Sequence, residues 1–214
     1  MILHGYWRSG AAYRTRIALN LKRLDYTQAN HDLRSGAQRD PAFLALNPQG
    51  LVPALETDDG IVITQSPAIL EWLEEVYPDP PLLPERANDR ATVRAMAALI
   101  GCDIHPLNNL RVLNALRADF GADSPAVLRW TAKWIGAGFA ALETMIARHG
   151  QGFAFGAAPT LVDCYLVPQV YSAERFLVDL APHPHLVAAC DHARALPAFA
   201  AAHPSKQPDA DQAG

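Results

Sequence analysis

The chain has 214 residues, of which half are apolar and 19% are charged, with 18 basic and 22 acidic side chains and a net charge of −4. This balance excludes a disordered chain and offers no basic surface for nucleic acid. No long apolar run occurs, so we expect neither a signal peptide nor a membrane span. The three cysteines form no Cys-x-x-Cys pair, so we expect neither a disulfide framework nor a metal site. We expect their thiols to be buried, in a protein of the reducing cytoplasm.

The first third of the chain alternates between strand-like and helix-like patterns. Ser9 stands where a helix N-cap is expected, before an apolar stripe of helical period. Asp59-Gly60 between two apolar runs predicts a hairpin, and Ser66-Pro67 is typical of a helix start, with Ser66 as the N-cap. The predicted order is βαβαββα, with strands at 2–6, 26–31, 52–56 and 61–64 and helices at 11–24, 40–46 and 67–77.

A proline-rich segment separates this part from a helical remainder. The run PDPPLLPE at 78–85 contains four prolines and predicts a stiff linker. A long helix is predicted over 86–119 and should be interrupted at Pro106, and further helices are predicted at 125–148, 161–176, 184–194 and 197–202. The predicted organisation is an α/β domain at 1–78, a linker at 79–85, an all-α domain at 86–205 and a flexible tail at 206–214.

Three short segments of the α/β part have the chemistry to bind an anionic peptide. Ser9, followed by Gly10, and Ser66 each lie at a predicted helix N-terminus, where free N–H groups and the helix dipole favour anions and thiolates. A cis bond before Pro53 would leave the N–H and C=O of Val52 free to pair with a peptide. Each feature also has an ordinary explanation, a helix cap or a trans proline, and spacing alone does not decide.

Together these segments resemble the glutathione transferase superfamily, and specifically its zeta class of maleylacetoacetate and maleylpyruvate isomerases. The resemblance covers nearly the whole chain and rests on residues 7–22, 47–55, 65–75, 101–109 and 159–169. It implies a glutathione transferase fold, with an α/β thioredoxin-like N-terminal domain and an all-α C-terminal domain, and a homodimer. Many zeta enzymes have Ser-Ser-Cys where this chain has Ser9-Gly10-Ala11, and the Arg-Ser-Gly form is more similar to the bacterial maleylpyruvate isomerases.

The resemblance also implies residue roles, with reduced glutathione as the coenzyme. Ser9 would hold the glutathione sulfur as thiolate, and Pro53 would be cis, so that Val52 pairs with the cysteinyl unit. Gln65 and Ser66 would bind the γ-glutamyl carboxylate. Further glutathione contacts are expected from Gln49, His105, Asn108 and Asn109, the last three on one face of the long helix.

The resemblance further implies a dicarboxylate substrate bound by Arg8, Arg111 and Arg175. Arginine suits this role because its planar guanidinium binds carboxylates bidentately. Thiolate addition to the cis double bond, rotation and expulsion of the thiolate would give the trans isomer, from maleylpyruvate to fumarylpyruvate. Three alternatives stay open: maleylacetoacetate as substrate, glutathione conjugation of apolar electrophiles, and a non-catalytic glutathione-transferase-like binding protein.

Overall fold

The computed structural model describes residues 1–211, which form two compact units. The first unit contains Met1–Leu82 together with the chain from Ala195 onward, and the second contains Leu83–Arg194. The break after Leu82 lies inside the predicted linker. The second unit ends at Arg194, whereas the sequence predicts that the all-α domain extends to residue 205.

The first unit is built on a mixed four-stranded sheet. Its strands have the order β2-β1-β3-β4, with β1 parallel to β2 and the other pairs antiparallel. Leu3 of β1 lies opposite Leu55 of β3, and both side chains are fully buried. The predicted βαβαββα order and the thioredoxin-like fold are confirmed by β1 (Ile2–Gly5), α1 (Gly10–Leu21), β2 (Thr27–Asn30), α2 (Pro41–Leu46), β3 (Ala54–Glu56), β4 (Val62–Thr64) and α3 (Ser66–Val76).

Helices α1 and α3 pack together and share a buried ion pair. Ile17 of α1 and Ile69 and Leu73 of α3 are fully buried. Lys22, the C-cap of α1, places its Nζ 2.6 Å from Glu74 Oε2, with 0% and 7% of the two side chains exposed. Lys22 Nζ also donates to the Pro80 carbonyl, and Glu74 Oε2 accepts the Leu82 N–H. The predicted linker is therefore tied to both helices at its start.

The second unit consists of helices and tight helical turns. The predicted helix over 86–119 is broken, as expected for Pro106, which lacks an N–H and clashes with the preceding turn. Among the described residues no helix is long and apolar enough to cross a lipid bilayer. The helical segments are α4 (Ala87–Ala98), a π-helical segment (Leu99–Ile104), a 3-10 turn (His105–Asn108), α5 (Leu110–Phe120), α6 (Ser124–His149), α7 (Leu161–Arg175) and α8 (Pro184–Arg194).

Helix α7 begins with a capping box formed by Thr160 and Asp163. Asp163 Oδ2 accepts the N–H of Thr160 at 2.8 Å and the Thr160 hydroxyl at 3.1 Å. Asp163 Oδ1 accepts the Ala154 N–H at 2.9 Å, and the carboxylate is fully buried. The box therefore also fixes the loop before the helix.

The end of the chain packs against the first unit. Asn20 of α1 donates to the carbonyl of Ala198 in α9 (Pro197–Ala202), and Gln207 donates to the carbonyls of Ala201 and His203. Gln207 is only 7% exposed. The flexible tail predicted at 206–214 stays a prediction; Gln207 makes these side-chain contacts within it, and residues 212–214 lie outside the described part.

The three cysteine thiols differ in exposure. Cys164 and Cys190 are buried, as predicted, and burial raises the pKa of Cys190 to about 12. Cys102 is exposed in the π-helical segment, so the prediction of a buried thiol is wrong there.

Candidate active site

Three segments of the first unit meet at one edge of the sheet. In the antiparallel pairing, His4 lies opposite Ala54, and Ala54 lies opposite Thr64. The end of β1, the start of β3 and the end of β4 are therefore neighbours, within about 10 Å at the usual spacing between strands. We call this region, residues 6–10, 49–53 and 65–67, the loop edge. It brings together Arg8, Ser9, Gln49, Val52, Pro53, Gln65 and Ser66 from the sequence-based set.

Ser9 is positioned by a tight turn and by the start of α1. Its N–H donates to the Tyr6 carbonyl at 3.0 Å, which closes a turn over residues 6–9. As N-cap it has extended dihedral angles (φ −66°, ψ 119°), and its Oγ accepts the Ala12 N–H at 3.3 Å. Because capping uses Oγ only as an acceptor, the hydroxyl proton stays available to a bound anion. Ser9 is thus a helix cap that can also donate to a thiolate.

Arg8 lies in the same turn and is half-buried. Its guanidinium carbon is 5.1 Å from the centroid of the Trp7 ring, a cation–π contact. It has no ion pair with any of the residues 1–211. A cation placed one residue from Ser9 favours anions at this end of α1.

The Val52–Pro53 peptide bond is cis, as the resemblance implies. Within the described chain, the N–H and C=O of Val52 have no hydrogen-bond partner, so both can pair with a peptide ligand. The loop before them is held by Asn47, which is 3% exposed, donates to the Leu51 carbonyl at 2.7 Å and accepts the Gln49 N–H at 3.1 Å. Asn47 is not among the site residues predicted from the sequence.

Gln65 and Ser66 form the start of α3, with one correction to the predicted cap. Gln65 is the N-cap and Ser66 the first helical residue. Gln65 has a φ of +69°, a conformation that residues with a Cβ adopt rarely and that is concentrated at functional sites. Its side-chain amide donates to the amide oxygen of Gln49, so two expected glutathione contacts are in direct contact with each other.

The Ser66 hydroxyl accepts a hydrogen bond from Arg14, which is not among the site residues predicted from the sequence. Arg14 of α1 donates from Nη1 to Ser66 Oγ at 2.9 Å, and both residues are 3% exposed. Because arginine is only a donor, Ser66 Oγ must accept, and its own proton is directed elsewhere. The only signal in the sequence is a charged residue among the apolar positions of α1, which has to find a partner when buried.

In the second unit, the predicted common face of His105, Asn108 and Asn109 is wrong. Residues 105–108 form a 3-10 turn and Asn109 is extended (φ −67°, ψ 145°), so α-helical spacing does not apply beyond Pro106. Asn109 instead caps α5, because its Oδ1 accepts the Arg111 N–H at 3.1 Å. His105 is half-buried, and Asn108 is buried with no hydrogen-bond partner for Nδ2 among the described residues.

Arg111 and Arg175 are both exposed and lie on different helices of the second unit. Arg111 belongs to the first turn of α5. Arg175 is the last residue of α7, and its guanidinium carbon is 5.8 Å from the Tyr171 ring centroid and 5.6 Å from that of Phe176. Side chains of this kind can bind carboxylates.

The arrangement at the loop edge suits an anionic peptide. Two helix N-termini, the Arg8 guanidinium and the two unpaired backbone groups of Val52 are collected there, and the guanidinium of Arg14 contacts Ser66. Across residues 1–211, no group of three or more His, Cys, Asp or Glu side chains could hold a metal ion.

Comparisons with known proteins agree over the full chain. The model for the glutathione S-transferase N-terminal domain matches residues 8–76. Maleylpyruvate isomerase of a Ralstonia species is 54% identical, over 98% of this chain and 99% of that protein. Maleylacetoacetate isomerase of Pseudomonas aeruginosa is 52% identical, over 98% of each chain.

Two solved structures are similar over nearly the whole chain. One is a holo maleylpyruvate isomerase described as a bacterial zeta-class glutathione S-transferase, with a TM-score of 0.96, 51% identity and coverage of 98% of this chain and 100% of that one. The other is maleylacetoacetate isomerase from Methylobacterium extorquens AM1 with bound malonate and glutathione, with a TM-score of 0.94, 40% identity and coverage of 98% and 99%. The chain therefore belongs to the zeta class of the glutathione S-transferase family, and the resemblance is confirmed.

Proposed function

We propose that this chain is a glutathione-dependent cis–trans isomerase of a maleyl-type dicarboxylate, with maleylpyruvate as substrate and fumarylpyruvate as product. The observation that carries the proposal is the loop edge, where an N-cap hydroxyl with a free proton lies beside a cation. A relative that binds malonate together with glutathione supports a dicarboxylate as the class of substrate. The maleylpyruvate isomerase of a Ralstonia species is 54% identical and the maleylacetoacetate isomerase of Pseudomonas aeruginosa is 52% identical, and this order supports maleylpyruvate as the substrate.

Reduced glutathione is the coenzyme in this proposal. The Ser9 hydroxyl donates to its sulfur and stabilises the thiolate, helped by the N-terminal dipole of α1. The main chain of Val52, before cis Pro53, pairs with the cysteinyl unit. Gln65 and Ser66 bind the γ-glutamyl carboxylate, and Gln49 orients Gln65. His105, Asn108 and Asn109 remain proposed contacts, although Asn109 already uses its carbonyl oxygen as a cap.

The reaction needs no nucleophile from the protein. The thiolate forms a carbon–sulfur bond at the cis double bond, and the π electrons move to the conjugated carbonyl as an enolate. Rotation about the new single bond follows, and collapse of the enolate expels the thiolate and leaves the trans double bond. Arg8, Arg111 and Arg175 are proposed to bind the carboxylates and to stabilise the enolate charge, which is electrostatic stabilisation of the transition state.

The experiment follows the loss of maleylpyruvate absorbance by purified protein with and without glutathione. Ser9→Ala should lower kcat/KM by about tenfold to a hundredfold, the value of one hydrogen bond to a charged group, and raise the pKa of the bound thiol. Ser35→Ala is the matched control, because Ser35 is exposed and donates only to the Asp32 carbonyl. Turnover without glutathione, or an unchanged Ser9→Ala variant, would contradict the mechanism.

Maleylacetoacetate is the second candidate substrate, since a maleylacetoacetate isomerase is 52% identical. Assays of both compounds decide between them by the ratio of kcat/KM values. Activity only with aryl halides would favour a conjugating transferase, and glutathione binding without turnover would favour a binding protein. A homodimer and a cytoplasmic location are also part of the proposal, and gel filtration at several concentrations tests the first.

A further inference from the structure

The turn that presents Arg8 and Ser9 is held on both sides of one residue, Trp7. The Trp7 N–H donates to Asp209 Oδ2 at 2.9 Å, and the Trp7 carbonyl accepts from Arg16 Nη2 at 2.9 Å. Trp7 and Arg8 are the central residues of the turn closed by the Ser9 N–H. The Tyr6–Trp7 peptide carries both the carbonyl that accepts the Ser9 N–H and the N–H that donates to Asp209, so its orientation sets the direction in which the next two residues point.

Both hydrogen-bond partners of the Trp7 backbone depend on the end of the chain. Arg16 is fully buried and donates from Nε to the Ala202 carbonyl at 3.1 Å. Asp209 lies in a turn that begins at Gln207, whose carbonyl accepts the Ala210 N–H at 3.0 Å. The side-chain oxygen of Gln207 accepts a hydrogen bond from Gln28 Nε2 in β2, the strand that pairs with β1. The segment from Ala202 to Asp209 thus contacts the Ser9 turn once directly and once through Arg16.

We propose that Asp209 is a positioning residue for the isomerisation: its carboxylate fixes the Tyr6–Trp7 peptide, whose carbonyl closes the turn, and thereby the place where the Ser9 hydroxyl meets the thiolate. This inference rests on the proposed function and adds to it a residue about two hundred positions away in the sequence. A hydrogen bond from a backbone N–H to a carboxylate is stronger than one between neutral groups. A displacement of about 1 Å at a reacting group can cost about a hundredfold in rate.

The test compares Asp209→Ala with Asp209→Asn, which keeps an oxygen acceptor for the Trp7 N–H. Asp211→Ala is the matched control, because Asp211 is an exposed carboxylate in the same segment that pairs with Arg34. Three quantities are measured: the dissociation constant of glutathione by calorimetry, the pKa of its thiol from the pH dependence of thiolate absorbance, and kcat with KM for the isomerisation.

For Asp209→Ala we expect kcat/KM to fall by about tenfold or more, mainly through kcat, and the bound thiol to titrate at higher pH. Asp209→Asn should recover kcat/KM to within about threefold of the original protein, and Asp211→Ala should match it. If Asp209→Ala does not fold, Asp209→Ser takes its place, because serine is accepted in turns and its hydroxyl is too short to reach Trp7.

The proposal is overturned if the alanine or serine variant keeps the thiol pKa and kcat of the original protein, or if the asparagine variant is as impaired as the alanine variant. If the protein without substitutions does not bind glutathione, the proposed function itself is contradicted. The two failures are therefore distinguishable.

Discussion

Lys22→Met is expected to destabilise the first unit strongly, because it leaves a buried carboxylate without its cation. Lys22 and Glu74 expose 0% and 7% of their side chains, and their charged atoms are 2.6 Å apart. Removing one partner of a buried pair costs about 3–5 kcal/mol, whereas an exposed pair contributes about 0–1 kcal/mol. The Leu82 N–H still donates to Glu74 at 2.9 Å, so we expect a value of about 3 kcal/mol, near the lower end.

The measurement is urea unfolding at pH 7, followed by circular dichroism and by tryptophan fluorescence, since coincident curves are needed for a two-state free energy. Thermal unfolding should shift downward by about 6–12 °C, at about 2–4 °C per kcal/mol for a chain of this size. Replacing both residues, Lys22→Met with Glu74→Leu, should recover most of the loss. A loss below about 1 kcal/mol, or a double variant as unstable as the single one, would refute the reasoning.

Arg14→Met removes the donor to the Ser66 hydroxyl, and we expect the glutathione dissociation constant in calorimetry to rise by about tenfold. An unchanged constant would show that Arg14 only fills space. A disulfide reagent should modify Cys102 quickly in the native protein and Cys164 and Cys190 only after unfolding, since the thiolate is the reactive form; three fast thiols would contradict the burial. Burial lowers the pKa of His31 from its usual 6.5, so the unfolded chain binds its proton more tightly and the free energy of unfolding falls as the pH drops through 6.5. His31→Gln should reduce the difference in urea midpoint between pH 7.5 and pH 5.5, and an equal difference in both proteins would be evidence against this contribution.

The order of strands and helices could be predicted because its signals are local. Asp59-Gly60, Pro106 and the Thr160 capping box each act within a few residues, and the structure has the corresponding turn, break and helix start. The end of the chain could not be predicted in this way. Its position depends on contacts between residues far apart in the sequence, such as the hydrogen bond from Trp7 to Asp209, which are 202 residues apart.

The candidate site divides along the same line. The elements of the loop edge, including Ser9 and Gln65, follow from short segments and their resemblance to a family. Arg14 was missed because its partner is 52 residues away. The prediction that Asn108 and Asn109 share a helix face was wrong. A proline within a helical pattern ends the α-helical period, and the 3-10 turn that contains it has a different, shorter period.

Arg14 contacts Ser66, and eight residues further along each helix Lys22 contacts Glu74, so both pairs have the same separation of 52 residues. Eight residues correspond to about 12 Å of helix, which means that α1 and α3 run side by side in one direction and are joined at two levels. Sliding one of them by a turn would break both buried contacts at once. Their N-termini therefore keep a constant separation, and a bound anion meets a site that folding has already assembled.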